Sequence, residues 1–130
     1  MTEQKINTLL ELYQTGRYVE AEKLSLSITK DFPQHQLAWK VLALVLKQNG
    51  KISESLIAIQ KSIQLEPRDS NAHYNLGVIL QALKRLDEAE VSFKKTIKLK
   101  PDYAEAHNNL GVILQELKRL DEAEVSFKKT

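Results

Sequence analysis

The chain of 130 residues lacks several features that would point to particular classes of protein. It contains no cysteine, which excludes disulfide bonds and cysteine-based zinc sites. Its longest purely aliphatic run is Val41–Leu46, far too short to span a bilayer. The N-terminus lacks the charged and then apolar layout of a signal peptide. We therefore expect a cytoplasmic protein that does not insert into membranes.

Neither sign of charge dominates, and the usual signatures of chemistry are missing. Lys and Arg number 19 against 17 Asp and Glu, a balance that does not favour nucleic acid as a partner. The histidines His35, His73 and His107 form no metal motif, and no phosphate-binding glycine loop occurs. We expect His73 and His107 to be structural. The sequence therefore predicts neither an enzyme nor a bound metal or other cofactor.

What the chain does contain is a repeat. Pro33, Pro67 and Pro101 are 34 residues apart, and residues 70–96 recur at 104–130 with 23 of 27 residues identical. A fixed period of this size is typical of arrays in which each small unit packs against its neighbours. We divide the single domain into copies at about 2–35, 36–69, 70–103 and an incomplete 104–130. Such arrays favour a binding surface over a catalytic pocket.

Each copy reads as two antiparallel helices with a short connection. In the third copy, His73, Leu76, Gly77 and Leu80 form one helical stripe, and Asp87 with Glu90 has the form of a capping box that opens a second helix. Gly16 and Gly50 mark turns in the first two copies, whereas Lys84 and Lys118 stand at the corresponding places in the last two. We expect slightly altered turns at the lysines, and no β-structure. The predicted fold is all-α, with three complete helix pairs and most of a fourth.

These residues resemble the tetratricopeptide repeat family, whose pattern is W-x2-L-G-x2-Y, then A-x3-F, then P. The third copy matches it at His73, Leu76-Gly77, Leu80, Ala89, Phe93 and Pro101, and the fourth at His107, Leu110-Gly111, Leu114, Ala123 and Phe127. The resemblance implies a right-handed solenoid whose first helices line a concave inner face. The chain also resembles the repeat arrays of O-linked N-acetylglucosamine transferases, which carry a ladder of asparagines there.

The resemblance implies a set of ligand-binding residues on the inner face. The asparagines that would pair with a peptide backbone are Asn7, Asn75 and Asn109, with the ladder broken at Val41. Residues that would supply apolar contact are Val41, Leu44, Tyr74 and Val78. The asparagines could instead bond a neighbouring helix, and the apolar residues could be buried within the stack. Lys40 and Asn75 could serve in a clamp for a terminal carboxylate, but we disfavour that activity because Leu44 and Glu105 stand where other polar or basic groups belong.

Three functions follow as hypotheses. The leading one is a non-catalytic scaffold that binds a peptide or protein segment on its inner face. The second is a substrate-recruiting part of a larger enzyme, such as a glycosyltransferase. The third is a self-assembly module: the fourth copy lacks the seven residues that match Ile97–Tyr103, which would leave a packing face uncovered. We therefore expect self-association through residues 104–130.

Overall fold

A computed structural model describes the backbone of residues 2–129 and the side chains of residues 2–121 and 123; the side chain of the predicted motif residue Phe127 lies outside this set. Within that range the chain forms seven α-helices and no strand. The helices are α1 Thr2–Gln14, α2 Tyr18–Asp31, α3 Gln36–Gln48, α4 Ile52–Leu65, α5 Ser70–Ala82, α6 Leu86–Leu99 and α7 Ala104–Lys129.

The helices stack in sequence order into a right-handed solenoid. Each of α1, α3 and α5 packs antiparallel on the helix that follows it, and α2, α4 and α6 also contact the first helix of the next copy. The core consequently runs as three linked clusters rather than one centre, built around Leu9 and Ile28, around Ile59 and Ile79, and around Phe93. This quasi-one-dimensional packing is that of repeat proteins.

Small and large side chains alternate across each helix pair. At Gly77, an added Cβ would lie 2.6 Å from Cε1 of Phe93, because the phenyl ring fills the space beside the glycine. In the preceding copy the corresponding residues are Ala43 and Ile59, both fully buried in one cluster. A smaller side chain on one helix is thus matched by a larger one on its partner, which keeps the core close-packed.

The turns within the first three helix pairs share one geometry. Gly16 has a φ of 76°, Gly50 of 80° and Lys84 of 63°. Each residue ends its helix with the same pair of backbone hydrogen bonds; at the third turn these are Lys84 N to Gln81 O (3.0 Å) and Arg85 N to Leu80 O (2.9 Å). The expectation of an altered turn at Lys84 is therefore wrong. Lysine adopts the left-handed conformation despite a cost of about 1–2 kcal/mol relative to glycine.

A second local prediction also fails, because the second helices do not begin with a side-chain cap. Helix α6 begins at Leu86, and its preceding residue Arg85 makes no capping hydrogen bond. Asp87 lies inside the first turn, where its negative charge favours the helix dipole. Side-chain caps occur instead at first helices: Asp69 accepts a bond from Ala72 N, and His35 accepts one from Ala38 N.

One hydrogen bond recurs in three copies and ties each first helix to the loop before it. Trp39 Nε1 donates to the carbonyl of Pro33 (2.8 Å), His73 Nε2 bonds that of Pro67 (2.8 Å), and His107 Nε2 bonds that of Pro101 (2.7 Å). A carbonyl can only accept, so both histidines carry their proton on Nε2. This contact gives the two histidines a structural role that indole can also fill.

The fourth copy departs from the expected helix pair. Residues 104–129 form the single helix α7, which continues through Lys118 where the third copy turns at Lys84. The segments 83–96 and 117–130 have identical sequences, so the difference is one of surroundings. Helix α6 packs on α5 and on α7, and this burial offsets the cost of a left-handed lysine. Helix α6 thus lies between two helices, whereas residues 117–129 have no such pair of neighbours within the described range.

Candidate functional site

The first helices of successive copies lie side by side, since α1 contacts α3 and α3 contacts α5. We call the surface they share with the first half of α7 the inner face. Its accessible or half-buried residues are Asn7, Leu44, Asn71, Tyr74, Val78, Asn108, Asn109 and Val112. The inner face therefore offers amide groups and short apolar patches to a ligand.

The predicted asparagines differ in how accessible they are. Asn7 is exposed, whereas Asn109 is half-buried and donates a long hydrogen bond of 3.4 Å from Nδ2 to Oη of Tyr74. Asn75 is only 9% exposed, and its Nδ2 donates to Oδ1 of Asn71 at 3.4 Å. Asn75 therefore supports Asn71 rather than facing outward. The structure places Asn109 next to Tyr74 and leaves Asn7 at the far end of the face.

The predicted apolar residues also divide into two groups. Val41 is 4% exposed and belongs to the core cluster that contains Ile6 and Leu9 of α1. It is a core residue and not part of an open surface. Leu44 is half-buried, and Val78 is half-buried against the cluster around Phe93. These two side chains retain surface on the inner face, while the solenoid covers Val41.

An aromatic cluster joins the third and fourth copies on the inner face. The rings of Tyr74 and Tyr103 stack with centroids 5.0 Å apart and an interplanar angle of 26°, and Phe93 lies behind Tyr74 at 5.7 Å. Asn71 Nδ2 donates to Oη of Tyr103 at 2.8 Å. Sequence reasoning did not find Tyr103, because it lies in a loop outside the repeat pattern.

The aromatic part of the cluster is neutral, whereas its edge carries both signs of charge, since Glu105 borders it and Nζ of Lys100 lies 5.5 Å from the centroid of the Tyr103 ring. Burial, together with the neighbouring Tyr103 and the negative charge of Glu105, raises the pKa of Tyr74 above its ordinary value. Its hydroxyl therefore stays protonated and can both donate and accept. Glu105 also lines a shallow cleft of about 300 Å³ with Asn71 and Tyr103.

Lys40, which a carboxylate clamp would need, is already paired. Its Nζ lies 2.8 Å from Oδ2 of Asp69, and Gln36 Nε2 donates to the same oxygen at 2.8 Å. Burial alone would raise the pKa of Asp69, but the hydrogen bonds from Lys40 and Gln36 outweigh burial and hold that pKa below its ordinary value. The ion pair joins α3 to the start of α5, so Lys40 stabilises the stack.

Two kinds of site are not found in the part of the chain that the structure describes. No group of three or more His, Asp or Glu side chains is arranged to hold a metal ion there. None of the seven helices is both long and apolar enough to cross a membrane, as judged over the same residues.

Two family models, both described as tetratricopeptide repeat, match residues 70–103 and 92–125. These matches identify tetratricopeptide repeats within residues 70–125, and the seven-helix solenoid agrees with them. No curated protein sequence matches the chain.

Solved structures share the fold. The first TPR of Spaghetti (RPAP3), bound to the HSP90 peptide SRMEEVD, has a TM-score of 0.87 at 20% identity, over 90% of this chain and 93% of that one. MamA from Desulfovibrio magneticus RS-1 has a TM-score of 0.85 at 22% identity, over 99% and 73%. A Thermobaculum terrenum O-GlcNAc transferase has a TM-score of 0.79 at 25% identity, over 88% of this chain but only 23% of that protein.

Proposed function

We propose that the chain is a non-catalytic scaffold that binds an extended peptide or protein segment on its inner face. The observation that carries this proposal is the amide and tyrosine cluster of Asn71, Tyr74, Tyr103 and Asn109. The bond from Asn109 to Tyr74 is long, so exchanging it for a ligand bond costs little. Amides that both donate and accept can pair with a peptide backbone of any sequence.

The apolar contacts of this site come from Tyr74, Leu44 and Val78, and Asn7 extends the polar contacts toward α1. Asn75 and Val41 are left out of the contact surface, since both are buried. Asn75 acts through Asn71, whose amide oxygen accepts its hydrogen bond.

The charge on the inner face selects against acidic peptides. Glu105 borders the cleft, and the ammonium of Lys40 is neutralised by Asp69. The cleft also contains the carboxylate of Asp102 and the ammonium of Lys100, so a ligand carboxylate there would meet two like charges and one opposite charge. We therefore expect neutral or basic segments to bind better than SRMEEVD, the peptide held by the Spaghetti domain.

The test is enrichment from a random peptide display library, followed by fluorescence anisotropy with the enriched peptides. The variant Asn71→Ala, Asn109→Ala is compared with wild type and with Gln60→Ala, which removes an exposed amide on α4. We expect the double variant to lose binding and Gln60→Ala to retain it. Equal binding by all three proteins, or preference for SRMEEVD, would contradict the proposal.

A second candidate function is recruitment of substrates to a larger enzyme. It is favoured by the 25% identity to a glycosyltransferase of which this chain matches 23%. The reading frame that encodes the chain tests it directly. A transferase domain in the same polypeptide would support this candidate, and a stop codon after residue 130 would reject it.

A further inference from the structure

Helix α7 leaves uncovered a surface that the third copy buries. Leu114 is 45% exposed, whereas its equivalent Leu80 is 4% exposed beneath α6. Gly111 has no atom within 4 Å of an added Cβ, whereas the same position at Gly77 is filled by Phe93. The first half of α7 thus presents an empty groove, which we define by Gly111 and Leu114.

The chain itself contains a second copy of the segment that fills the matching groove in the third repeat. Helix α6 already covers the matching surface of α5, and residues 83–96, which include its first eleven residues, are repeated without change at 117–130. Within α7 the start of this segment also carries an exposed apolar side chain, Leu120, at 59%. The chain therefore contains both an open groove and the sequence that closes it, and the straight helix keeps them apart.

We propose that two copies of the chain exchange residues 117–130, so that each segment closes the groove of the partner. The geometry follows from the third copy, where α5 and α6 run antiparallel about Lys84. Because α7 runs straight through Lys118, two such helices that pair antiparallel about this residue would bring the same residue pairs together between chains. At 1.5 Å per residue the 26 residues of α7 span about 39 Å, enough for one receiving and one donating half.

Lys118 acts as the hinge that favours exchange over folding back. Folding back within one chain would require a left-handed lysine, as at Lys84. The exchanged dimer covers the same groove with Lys118 in ordinary helical conformation. Exchange of this kind needs no new type of contact, because each contact between the two chains has a counterpart between α5 and α6 of the third copy. This device is separate from ligand binding on the inner face.

The experiment measures mass against concentration for the 130-residue chain, by sedimentation equilibrium. Wild type is expected to show a monomer–dimer equilibrium. Lys118→Gly removes the penalty for folding back, and since each dimer contains two hinges it should weaken dimerisation about tenfold or more. The matched control Lys84→Gly, within the same Leu-Lys-Arg sequence, should leave the dimer affinity unchanged.

A second pair of variants distinguishes loss of the dimer from loss of the folded monomer. Leu114→Asp places a charge in the groove and should abolish the dimer while leaving a folded, helical monomer. Ile57→Asp changes an apolar residue that is 67% exposed on α4 and should not affect dimerisation. Three results would overturn the proposal: a monomer at every concentration, masses that grow beyond the dimer, or equal dimer affinity for wild type and Lys118→Gly.

Discussion

Two glycines at equivalent positions should respond in opposite ways to the same substitution. In Gly77→Ala the new Cβ would lie 2.6 Å from Cε1 and 2.8 Å from Cδ1 and Cζ of Phe93. Carbon atoms in contact are normally about 3.5–4.0 Å apart, so the ring must move by about 1 Å. Phe93 is fully buried and has little room to do so. Gly111→Ala meets nothing within 4 Å.

The magnitudes follow from these contacts. Overpacking costs about 1–3 kcal/mol, and replacing glycine by alanine inside a helix contributes about 1 kcal/mol in the other direction. Gly77→Ala should therefore lower the free energy of unfolding by up to about 2 kcal/mol. Gly111→Ala should raise it by about 0.5–1 kcal/mol, because only the gain in helix propensity applies.

The assay is urea denaturation followed by circular dichroism, at a protein concentration low enough to dissociate the proposed dimer. The sequences around the two glycines are nearly identical, so each variant is the control for the other. If Gly111→Ala loses as much stability as Gly77→Ala, the fourth copy folds back over Gly111 and the reasoning from an open groove is refuted. At high concentration Gly111→Ala should also weaken the proposed dimer, since its methyl group would occupy the groove.

Three further outcomes can be measured in the same way. Lys84→Gly should stabilise the monomer by about 1 kcal/mol, since the turn no longer holds a side chain at positive φ; no change would show that lysine is unstrained there. The lowered pKa of Asp69 means that its ion pair with Lys40 contributes stability above the ordinary pKa of 3.8, lost as the pH falls through the folded value. Asp69→Asn should therefore destabilise at pH 7 and flatten the acid limb of a stability–pH curve, and an unchanged acid limb would contradict this. His73→Phe removes the hydrogen bond to the carbonyl of Pro67 and should lower the free energy of unfolding by about 0.5–1.5 kcal/mol. His73→Trp introduces the residue that the second copy has at the equivalent position, Trp39. It should retain both the hydrogen bond and the stability.

The helix pairs could be predicted from sequence because their signals are local. A proline ends each second helix, and the 3.6-residue spacing of apolar residues marks each packing stripe. The pairing of Gly77 with Phe93 was also within reach, since the family pattern contains both positions. The sequence does not show which side of each helix the neighbouring copy covers.

The inner face shows this limit residue by residue. Asn75 and Asn109 occupy the same place in two copies, yet Asn75 is buried and Asn109 is only half-buried. Val41, a third member of the series, lies in the core next to α1. Tyr103 was missed because a loop residue has no periodic signal. The accessibility of these positions depends on the neighbouring copy. A repeat pattern does not show this difference, because it treats the positions as equivalent in every copy.

The same limit applies to the segments 83–96 and 117–130, whose sequences are identical. The first segment forms a turn and a second helix, while residues 117–129 of the other continue a straight helix, so their sequence alone does not decide between the two conformations. The penalty at the hinge lysine is about 1–2 kcal/mol, which the burial of one or two apolar side chains can offset. At Lys84 the contacts of α6 with both of its neighbours supply that burial. In the proposed dimer the partner copy supplies the same burial at Lys118, and a glycine there, like Gly16 and Gly50, would remove the penalty for folding back.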